Sequence, residues 1–176
     1  MTDLIEKYYA DNPVLRQLLL THSRSVANKA LDVVRRHPEL GADALLVEQA
    51  AMLHDIGIFL TDAPGIHCHG QHPYIMHGIL GAELMRKEGR PDIARVCERH
   101  TGTGITQQDI IDRHLPLPPG NYEPQTIEEQ IVCYADKFFS KSHPERVRTV
   151  EQTAKSLEKF GSKGVKRFME WAKQFE

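Results

Sequence analysis

A histidine and an aspartate stand side by side near the end of the apolar stretch AMLHDIGIFL. Burying His54 or Asp55 costs free energy unless the polar group has a partner. The chain contains 10 histidines, several of which recur on apolar stripes. Imidazole nitrogen and carboxylate oxygen are ligands that divalent metal ions accept, and a metal ion is a suitable partner for a buried carboxylate. The pair therefore predicts part of a metal site.

The elements around this pair are predicted to be helices. Apolar residues recur at helical spacing after Pro13, and His22 lies on the resulting apolar stripe. A second helix leads to His54 and Asp55 at its last turn. We expect Gly57 to end that helix in a left-handed cap.

Three further helices follow in the pattern. One runs from about 74 to 88 and the next from about 91 to 100, with a glycine and a proline between them. The proline-rich stretch 112–124 predicts a surface loop. Thr126 and Glu129 then form a predicted capping box at the start of the fifth helix.

The last part of the chain predicts two more helices. Ser142 and Glu145 form a second predicted capping box, and apolar residues recur at helical spacing from there to the final residues. No strand pattern interrupts the chain. The predicted fold class is all-α.

The predicted helices present histidines and aspartates on or beside their apolar stripes. These candidate metal ligands are His22, His54, Asp55, His77, His100 and Asp136. Neighbouring helical residues diverge by about 100°, so the adjacent pair reaches one centre only from a helix end. Asp55 has two carboxylate oxygens and could bridge two ions, with the other ligands divided around it.

The segments HSRSVANKA, MLHDIGI, MHGILGAELM, ERHTGTGIT and IVCYADKFF occur in this order. Together they resemble the HD-domain superfamily of metal-dependent phosphohydrolases, and in particular its small HDIG-type proteins, over about 18–140. The resemblance implies a helical bundle around a central metal site. It also implies two divalent transition-metal ions, with Fe, Mn, Co, Ni and Zn equally compatible. The implied ligands are His22, His54, Asp55 and Asp136 for one ion, and Asp55, His77 and His100 for the other.

The resemblance implies hydrolysis of a phosphoester or phosphoanhydride in a nucleotide or small phosphorylated metabolite. A metal-bound hydroxide would attack, and Asp55 would be the catalytic residue. The ligand order is also similar to HD-type hydrolases that split diadenosine tetraphosphate. Ile58 stands where related proteins often carry a lysine, and the Gly-Tyr-Pro segment of cyclic-dinucleotide phosphodiesterases is absent. Neither a fixed lysine at that position nor a cyclic-dinucleotide substrate is therefore expected.

Two other functions remain open at this stage. Mixed-valent di-iron oxygenases such as myo-inositol oxygenase resemble the chain in the same ligand order. Metal identity and an open position for oxygen would separate them from hydrolases. A sensing or structural HD module without catalysis is the third alternative, although all six ligand positions are filled here.

Candidate substrate contacts lie beside the ligands. Lys137 follows Asp136 and Arg99 precedes His100, but each is equally compatible with a solvated side chain. The histidine-rich stretch 65–78 predicts a loop over the site, where His72 or Tyr74 would contact substrate as a general acid. A separate metal site in this stretch is the weaker alternative.

A run of cations lies near the end of the chain. Its members are Lys155, Lys159, Lys163, Lys166 and Arg167. Such a run could form a basic face for a polyanion. Because glutamates interleave with it, a solvated helix surface is the preferred interpretation.

Composition limits the remaining function classes. We expect a single domain over 1–176, with the metal-binding core at about 14–142 and C-terminal helices at about 143–176. The net charge is -2, which gives no reason to expect nucleic-acid binding. The 3 scattered cysteines argue against a disulfide framework, and no apolar stretch approaches a membrane span. We expect a cytoplasmic protein that binds a small phosphorylated substrate, for which a homodimer is compatible.

Overall fold

The computed structural model describes residues 2–176 and confirms the all-α prediction. The α-helices are α1 (Thr2–Tyr9), α2 (Pro13–Arg36), α3 (Ala44–Leu53), α4 (His77–Lys87), α5 (Pro91–Arg99), α6 (Gln107–Asp112), α7 (Ile127–Asp136), α8 (Val150–Leu157) and α9 (Ser162–Phe175). Helices α2, α3, α5 and α7 pack against one another, and α4 packs against α5. The ligand-bearing helices thus form the centre of the fold.

Helix α2 begins and packs as its sequence predicts. The Asn12 side chain accepts a hydrogen bond from the Leu15 backbone N–H at 3.0 Å, and Pro13 occupies the first helical turn. Asn12 satisfies a donor that the helix leaves free, and proline needs no partner there. Leu19 and Val26 are buried on the stripe that also carries His22. The core-facing stripe therefore places an imidazole inside the protein.

Gly57 does not form the predicted left-handed cap. Its φ of -87° and ψ of -2° are right-handed. A Cβ atom at this position would lie 2.4 Å from both the Gly81 nitrogen and the His77 oxygen. Glycine is therefore required because the turn after α3 approaches the backbone of α4, not because the backbone turns left-handed.

Helices α4 and α5 follow the prediction closely. The expected third helix starts with a 3-10 turn at Tyr74–Met76 and continues as α4. Gly89 has a φ of +72°, which favours glycine after a helix end, and Pro91 begins α5. This glycine, unlike Gly57, does occupy a left-handed cap position.

The predicted capping box at α7 forms only in part. The Thr126 side chain accepts from the Glu129 backbone N–H, but the Glu129 carboxylate accepts from the Gln125 N–H at 2.7 Å. The carboxylate is also buried and paired with Arg99. The Glu129 carboxylate thus accepts from the backbone N–H one residue before the expected Thr126 N–H, and it also binds Arg99.

The predicted capping box at Ser142 and Glu145 is wrong. Helix α8 starts instead at Val150, with Thr149 and Gln152 forming its capping box. The preceding segment turns back on the end of α7, where the Arg148 N–H donates to the Phe138 carbonyl. This return explains why the segment does not continue as a helix.

A small sheet that the sequence did not predict forms from the histidine-rich stretch and the residues just before it. Its strands are β1 (Thr61–Ala63), β2 (Cys68–His69) and β3 (His72–Pro73), in the order β2-β1-β3. Strand β1 is antiparallel to β2 and parallel to β3. Strands of two or three residues are too short to show a two-residue period.

Helix α9 closes the bundle over α7. The Tyr134 ring lies 5.2 Å from the Phe168 ring and 5.3 Å from the Phe175 ring, between ring centroids. Such aromatic pairs stabilise a helix contact beyond the area they bury. The cysteines are buried and free, as expected. Within residues 2–176, no helix combines the length and apolar character that a bilayer crossing needs.

Candidate metal centre

All six predicted ligands converge on one buried site. The helices deliver them from the middle of α2, the turn after α3, the first residue of α4, the residue after α5 and the last residue of α7. The converging residues are His22, His54, Asp55, His77, His100 and Asp136. All six are buried. The convergence that the spacing predicted is therefore present.

One group of side chains surrounds the Oδ2 atom of Asp55. The Nε2 atoms of His54 and His22 lie 3.0 Å and 3.2 Å from it. The same two nitrogens lie 3.4 Å and 3.0 Å from Asp136 Oδ1. Two imidazoles and two carboxylates thus present four ligand atoms within 4.8 Å of one another. This donor set fits a divalent transition metal.

A second group faces the other oxygen of the same carboxylate. The Nε2 atoms of His77 and His100 lie 3.5 Å and 3.4 Å from Asp55 Oδ1, and 3.0 Å from each other. Asp55 is therefore the one residue shared by both groups. Its two oxygens face the two groups separately, which is the arrangement that a bridging carboxylate needs.

Backbone carbonyls orient three of the imidazoles. The Nδ1 atoms of His54, His77 and His100 each lie 2.7 Å from a carbonyl oxygen three residues earlier in the chain. A carbonyl only accepts, so each Nδ1 carries the proton and the lone pair of the neutral ring is on Nε2. This second contact is typical of metal-ligating histidine.

The buried polar atoms at the centre fit a metal ion. Among the described residues, His54 Nε2 and both Asp55 carboxylate oxygens form no hydrogen bond of acceptable geometry. Buried polar groups are otherwise almost always paired. The Lys141 ammonium lies 2.6 Å from Asp55 Oδ2 and partly balances the charge. The residues therefore suit a cation that completes these contacts.

The electrostatics of the site keep its carboxylates ionised. Burial alone would raise their pKa values, but the charges on His54 and Lys141 hold the pKa of Asp55 well below its usual range. The Lys137 charge and the His22 contact do the same for the pKa of Asp136. Ionised carboxylates are the form that binds metal.

The imidazoles differ in their affinity for protons. Burial opposes a charge on His54, but Asp55 and Asp136 raise its pKa to about 9. Burial and the neighbouring His100 lower the pKa of His77 to about 3. The His77 imidazole beside Asp55 Oδ1 is therefore uncharged, whereas a metal ion beside Asp55 Oδ2 would replace a proton on His54.

Two lysines line the approach to the centre. Lys137 Nζ donates to Asp136 Oδ2 at 2.6 Å and to the His100 carbonyl at 2.9 Å. Lys137 also lines a cavity beside the centre, as the predicted substrate contact requires. Lys141, which sequence reasoning missed, lines the same cavity beside Asp55. It lies in an irregular segment with no helical spacing, so its position gave no periodic signal.

Arg99 and His72 lie away from that cavity. The Arg99 guanidinium donates to Glu129 Oε2 at 3.0 Å and does not line the cavity, so the predicted contact with substrate is not supported. His72 is exposed on β3 and is also absent from the cavity wall. Its neighbour Tyr74 does line the wall and stacks on His77 at 4.7 Å between centroids. Burial raises the pKa of Tyr74 to about 12, so its hydroxyl keeps its proton.

The cavity beside the centre has a volume of about 440 Å³. His77 and Asp136 form part of its wall, as does the loop 101–106 after α5. The remaining wall comes from α6, the segment after α7, and helices α8 and α9. This volume lies in the range of small-molecule sites. The candidate metal centre is therefore open to a ligand of nucleotide size.

Comparison with known proteins agrees with this arrangement. The family model described as HD domain matches residues 19–140 of the 176. The HD domain of the phosphodiesterase PgpH from L. monocytogenes, solved in complex with cyclic-di-AMP, aligns with a TM-score of 0.58 at 21% identity. The alignment covers 98% of this chain and 85% of that one. At this identity, the likeness shows a shared fold.

Several curated proteins are similar over part of their length. A tRNA (cytidine(56)-2'-O)-methyltransferase of Thermoplasma volcanium is 37% identical over 139 residues, which cover 78% of this chain and 35% of that protein. An uncharacterized protein of Methanocaldococcus jannaschii is 42% identical over 98 residues, covering 55% and 50%. Ribonuclease Y of Aquifex aeolicus is 32% identical over 143 residues, covering 81% and 20%. The chain thus spans half or less of the length of each of these relatives.

Proposed function

The chain belongs to the HD-domain family, and from this premise we propose that it is a metal-dependent phosphohydrolase with a dinuclear centre. Its substrate would be a phosphoester or phosphoanhydride of a nucleotide or other small phosphorylated metabolite. The observation that carries the proposal is Asp55, whose two carboxylate oxygens face two separate groups of imidazoles. Asp55 is accordingly the proposed catalytic residue.

Each ligand has a defined part in this proposal. One ion would be held by His22, His54, Asp55 and Asp136, and the other by Asp55, His77 and His100. When bound, a pair of divalent ions lowers the pKa of water and stabilises negative charge on a phosphoryl group under attack. The carbonyl contacts at Nδ1 keep three Nε2 lone pairs aimed at the centre. Preset orientation lowers the cost of organising the site during reaction.

Residues of the cavity wall would bind and orient the substrate. The ammonium groups of Lys137 and Lys141 lie beside the two carboxylates and attract an anionic ligand to the centre. The protonated Tyr74 hydroxyl at the same wall can donate a hydrogen bond or a proton to a leaving oxygen. Burial of the centre limits access of bulk water, which strengthens each of these interactions.

The test combines elemental analysis of the purified protein with turnover of a broad panel. The panel contains mononucleotides, dinucleoside polyphosphates, sugar phosphates, a polyol and a short oligoribonucleotide. We expect bound transition metal, and phosphate or nucleotide release that a chelator abolishes and added metal restores. We also expect the small phosphorylated compounds to be hydrolysed in preference to the oligoribonucleotide.

Two results would overturn the proposal. Substrate-dependent oxygen uptake without release of phosphate or nucleotide would identify a di-iron oxygenase. Ligand affinity that is unchanged in His54→Ala and Asp55→Ala proteins, with no turnover of any panel member by the unaltered protein, would identify a sensing module.

A further inference from the structure

The cavity beside the metal centre has a second wall that lies outside the family match. The match ends at residue 140, whereas Arg148, Lys159, Phe160 and Lys163 line the same cavity. These residues belong to the segment 148–167, which contains all of α8 and the start of α9. The C-terminal segment therefore contributes to the site without contributing any of the six metal ligands.

Much of the positive charge on this cavity wall lies in no close ion pair, and only the Asp109 carboxylate, whose pKa is lowered in part by Arg113 and Lys163, offsets it within the described cavity lining. Lys137, Lys141 and Arg167 each pair with a carboxylate. Within residues 2–176, four other cavity-lining cations lie in no such ion pair: Arg113, Arg148, Lys159 and Lys163. Unpaired cations that line a cavity favour an anionic ligand.

An exposed aromatic ring lies among these cations. Phe160 lines the cavity and is 47% exposed, which is uncommon for a large apolar side chain. Lys159 Nζ lies 4.8 Å from the ring centroid and Arg113 Cζ lies 5.5 Å from it. An accessible ring flanked by cations is the arrangement on which nucleobases stack while phosphates bind nearby.

The C-terminal wall is held in place against the metal centre. Arg167 Nη1 donates to the Thr103 carbonyl at 2.7 Å, in the loop that follows His100. A Cβ atom on Gly164 would lie 3.0 Å from Thr103 Oγ1, so the helix and the loop are in close contact. Such contacts fix the position of α9 relative to a metal ligand.

A cation bridges the two parts of the cavity. Arg148 Nη1 donates to the Lys137 carbonyl at 3.3 Å, beside the ligand Asp136. A phosphoryl group next to the one held at the centre would therefore meet Arg148. Lys163 and Phe160 continue the wall from there along the start of α9 and the turn before it.

We propose that the segment 148–167 forms a second ligand subsite for a nucleotide that carries at least two phosphoryl groups. Arg148 and Lys163 bind the phosphoryl group that does not react, and Phe160 stacks on the base. The inference rests on the proposed function, because it assigns the reacting phosphoryl group to the Asp55 centre. The cavity volume of about 440 Å³ accommodates a ligand of this size.

Calorimetric titration of the purified protein with ADP and AMP tests the subsite. We expect ADP to bind at least about tenfold more tightly than AMP, because only ADP offers a second phosphoryl group. The double substitution Arg148→Ala with Lys163→Ala should weaken ADP binding by about tenfold and AMP binding by less than about twofold. Phe160→Ala should weaken both nucleotides by about tenfold and leave inorganic pyrophosphate unchanged, since pyrophosphate has no base.

The chain offers matched controls in the same C-terminal segment. Lys155 on α8 and Lys166 on α9 are exposed and do not line the cavity. The double substitution Lys155→Ala with Lys166→Ala should leave ADP binding unchanged, although it also removes two positive charges. Equal affinity for ADP and AMP, or an equal loss in the control variants, would overturn the subsite. Thermal melting of each variant excludes a loss that results from unfolding.

The same titrations separate this inference from the proposed function. If ADP binding depends on Arg148, Lys163 and Phe160 while no phosphorylated compound is hydrolysed, the proposed function fails and the subsite remains. If hydrolysis occurs and these substitutions change neither binding nor kcat/KM, the subsite fails. A 5'-phosphorylated dinucleotide, titrated beside ADP, identifies whether the two phosphoryl groups are linked directly or through a sugar.

Discussion

Two walls of one cavity differ in how they are built. The metal-centre wall consists of buried imidazoles and carboxylates that several helices deliver from distant parts of the chain. The C-terminal wall consists of exposed or half-buried cations and one exposed ring from the continuous segment 148–167. Buried polar groups need partners and therefore define a geometry, whereas exposed cations tolerate many geometries. We therefore expect the first wall to determine the reaction and the second to select the ligand.

The largest effect should come from the residue that both ligand groups share. Asp55→Asn removes the charge from the shared carboxylate, so we expect kcat/KM for any panel substrate to fall about 10³-fold, equivalent to several kcal/mol of lost stabilisation. Steady-state kinetics measures this loss, and elemental analysis should show less bound metal. Asp62→Asn, which alters an exposed acid on β1, is the matched control. Full activity of the Asp55→Asn protein would contradict the assignment.

Substitution of one ligand at a time should distinguish the two ligand groups of the metal-centre wall. His22→Ala affects the Asp55 Oδ2 side and His77→Ala the Oδ1 side. We expect each variant to lose roughly one ion per chain and about 100-fold in activity, because each leaves the other group intact. Metal analysis of the two proteins provides the measurement. A parallel loss of all metal in both variants would show that the groups do not bind independently.

Lys141→Met should lower the activity by an intermediate amount and, at the same time, increase the affinity for metal. The ammonium lies 2.6 Å from Asp55 Oδ2, so its removal takes a positive charge from the cavity and a competing cation from the carboxylate. We expect about a tenfold loss in kcat/KM and, at the same time, tighter metal binding. Competition with a chelator measures the metal affinity. Lys155→Met, on the outer surface of α8, should change neither quantity.

Arg99→Ala should have the smallest effect on activity. The guanidinium pairs with buried Glu129 and lies outside both walls. We expect less than about a twofold change in kcat/KM, but a loss of about 1–3 kcal/mol in the free energy of unfolding, because Glu129 loses its main partner. Arg95 remains beside the same carboxylate and limits the loss. A large fall in kcat/KM with an unchanged free energy of unfolding would support the original prediction that Arg99 contacts the substrate.

The metal-centre wall was predictable to the level of individual residues. A histidine or aspartate on an apolar stripe needs a partner, and four histidines and two aspartates in the HD order pointed to one centre. The substrate contacts were less predictable. Arg99 and Lys137 each stand beside a ligand in the chain, yet Arg99 pairs with Glu129 and Lys137 faces the cavity. Adjacent helical residues diverge by about 100°, so proximity in sequence does not decide which of them reaches the site.

For the C-terminal cations, too, the sequence did not decide which side chains reach the cavity. The preferred interpretation of their spacing was a solvated helix surface, and Lys155 and Lys166 are indeed exposed outside the cavity. Lys159, Lys163 and Arg167 line the cavity instead. A cation that lines an open cavity and a cation on the outer surface have the same hydropathy. No pattern in the sequence therefore separated the two groups of cations.

The amino-acid sequence by itself determined the all-α class, most of the helices and the six residues that meet at the buried centre, because helical periodicity and the cost of burying polar groups are local properties of the chain. Only the tertiary structure decided that Lys141 approaches Asp55, that Gly57 contacts the backbone of α4, and that α9 closes the cavity. These contacts depend on how separate elements pack, and packing is set by the whole fold rather than by the residues of any one segment.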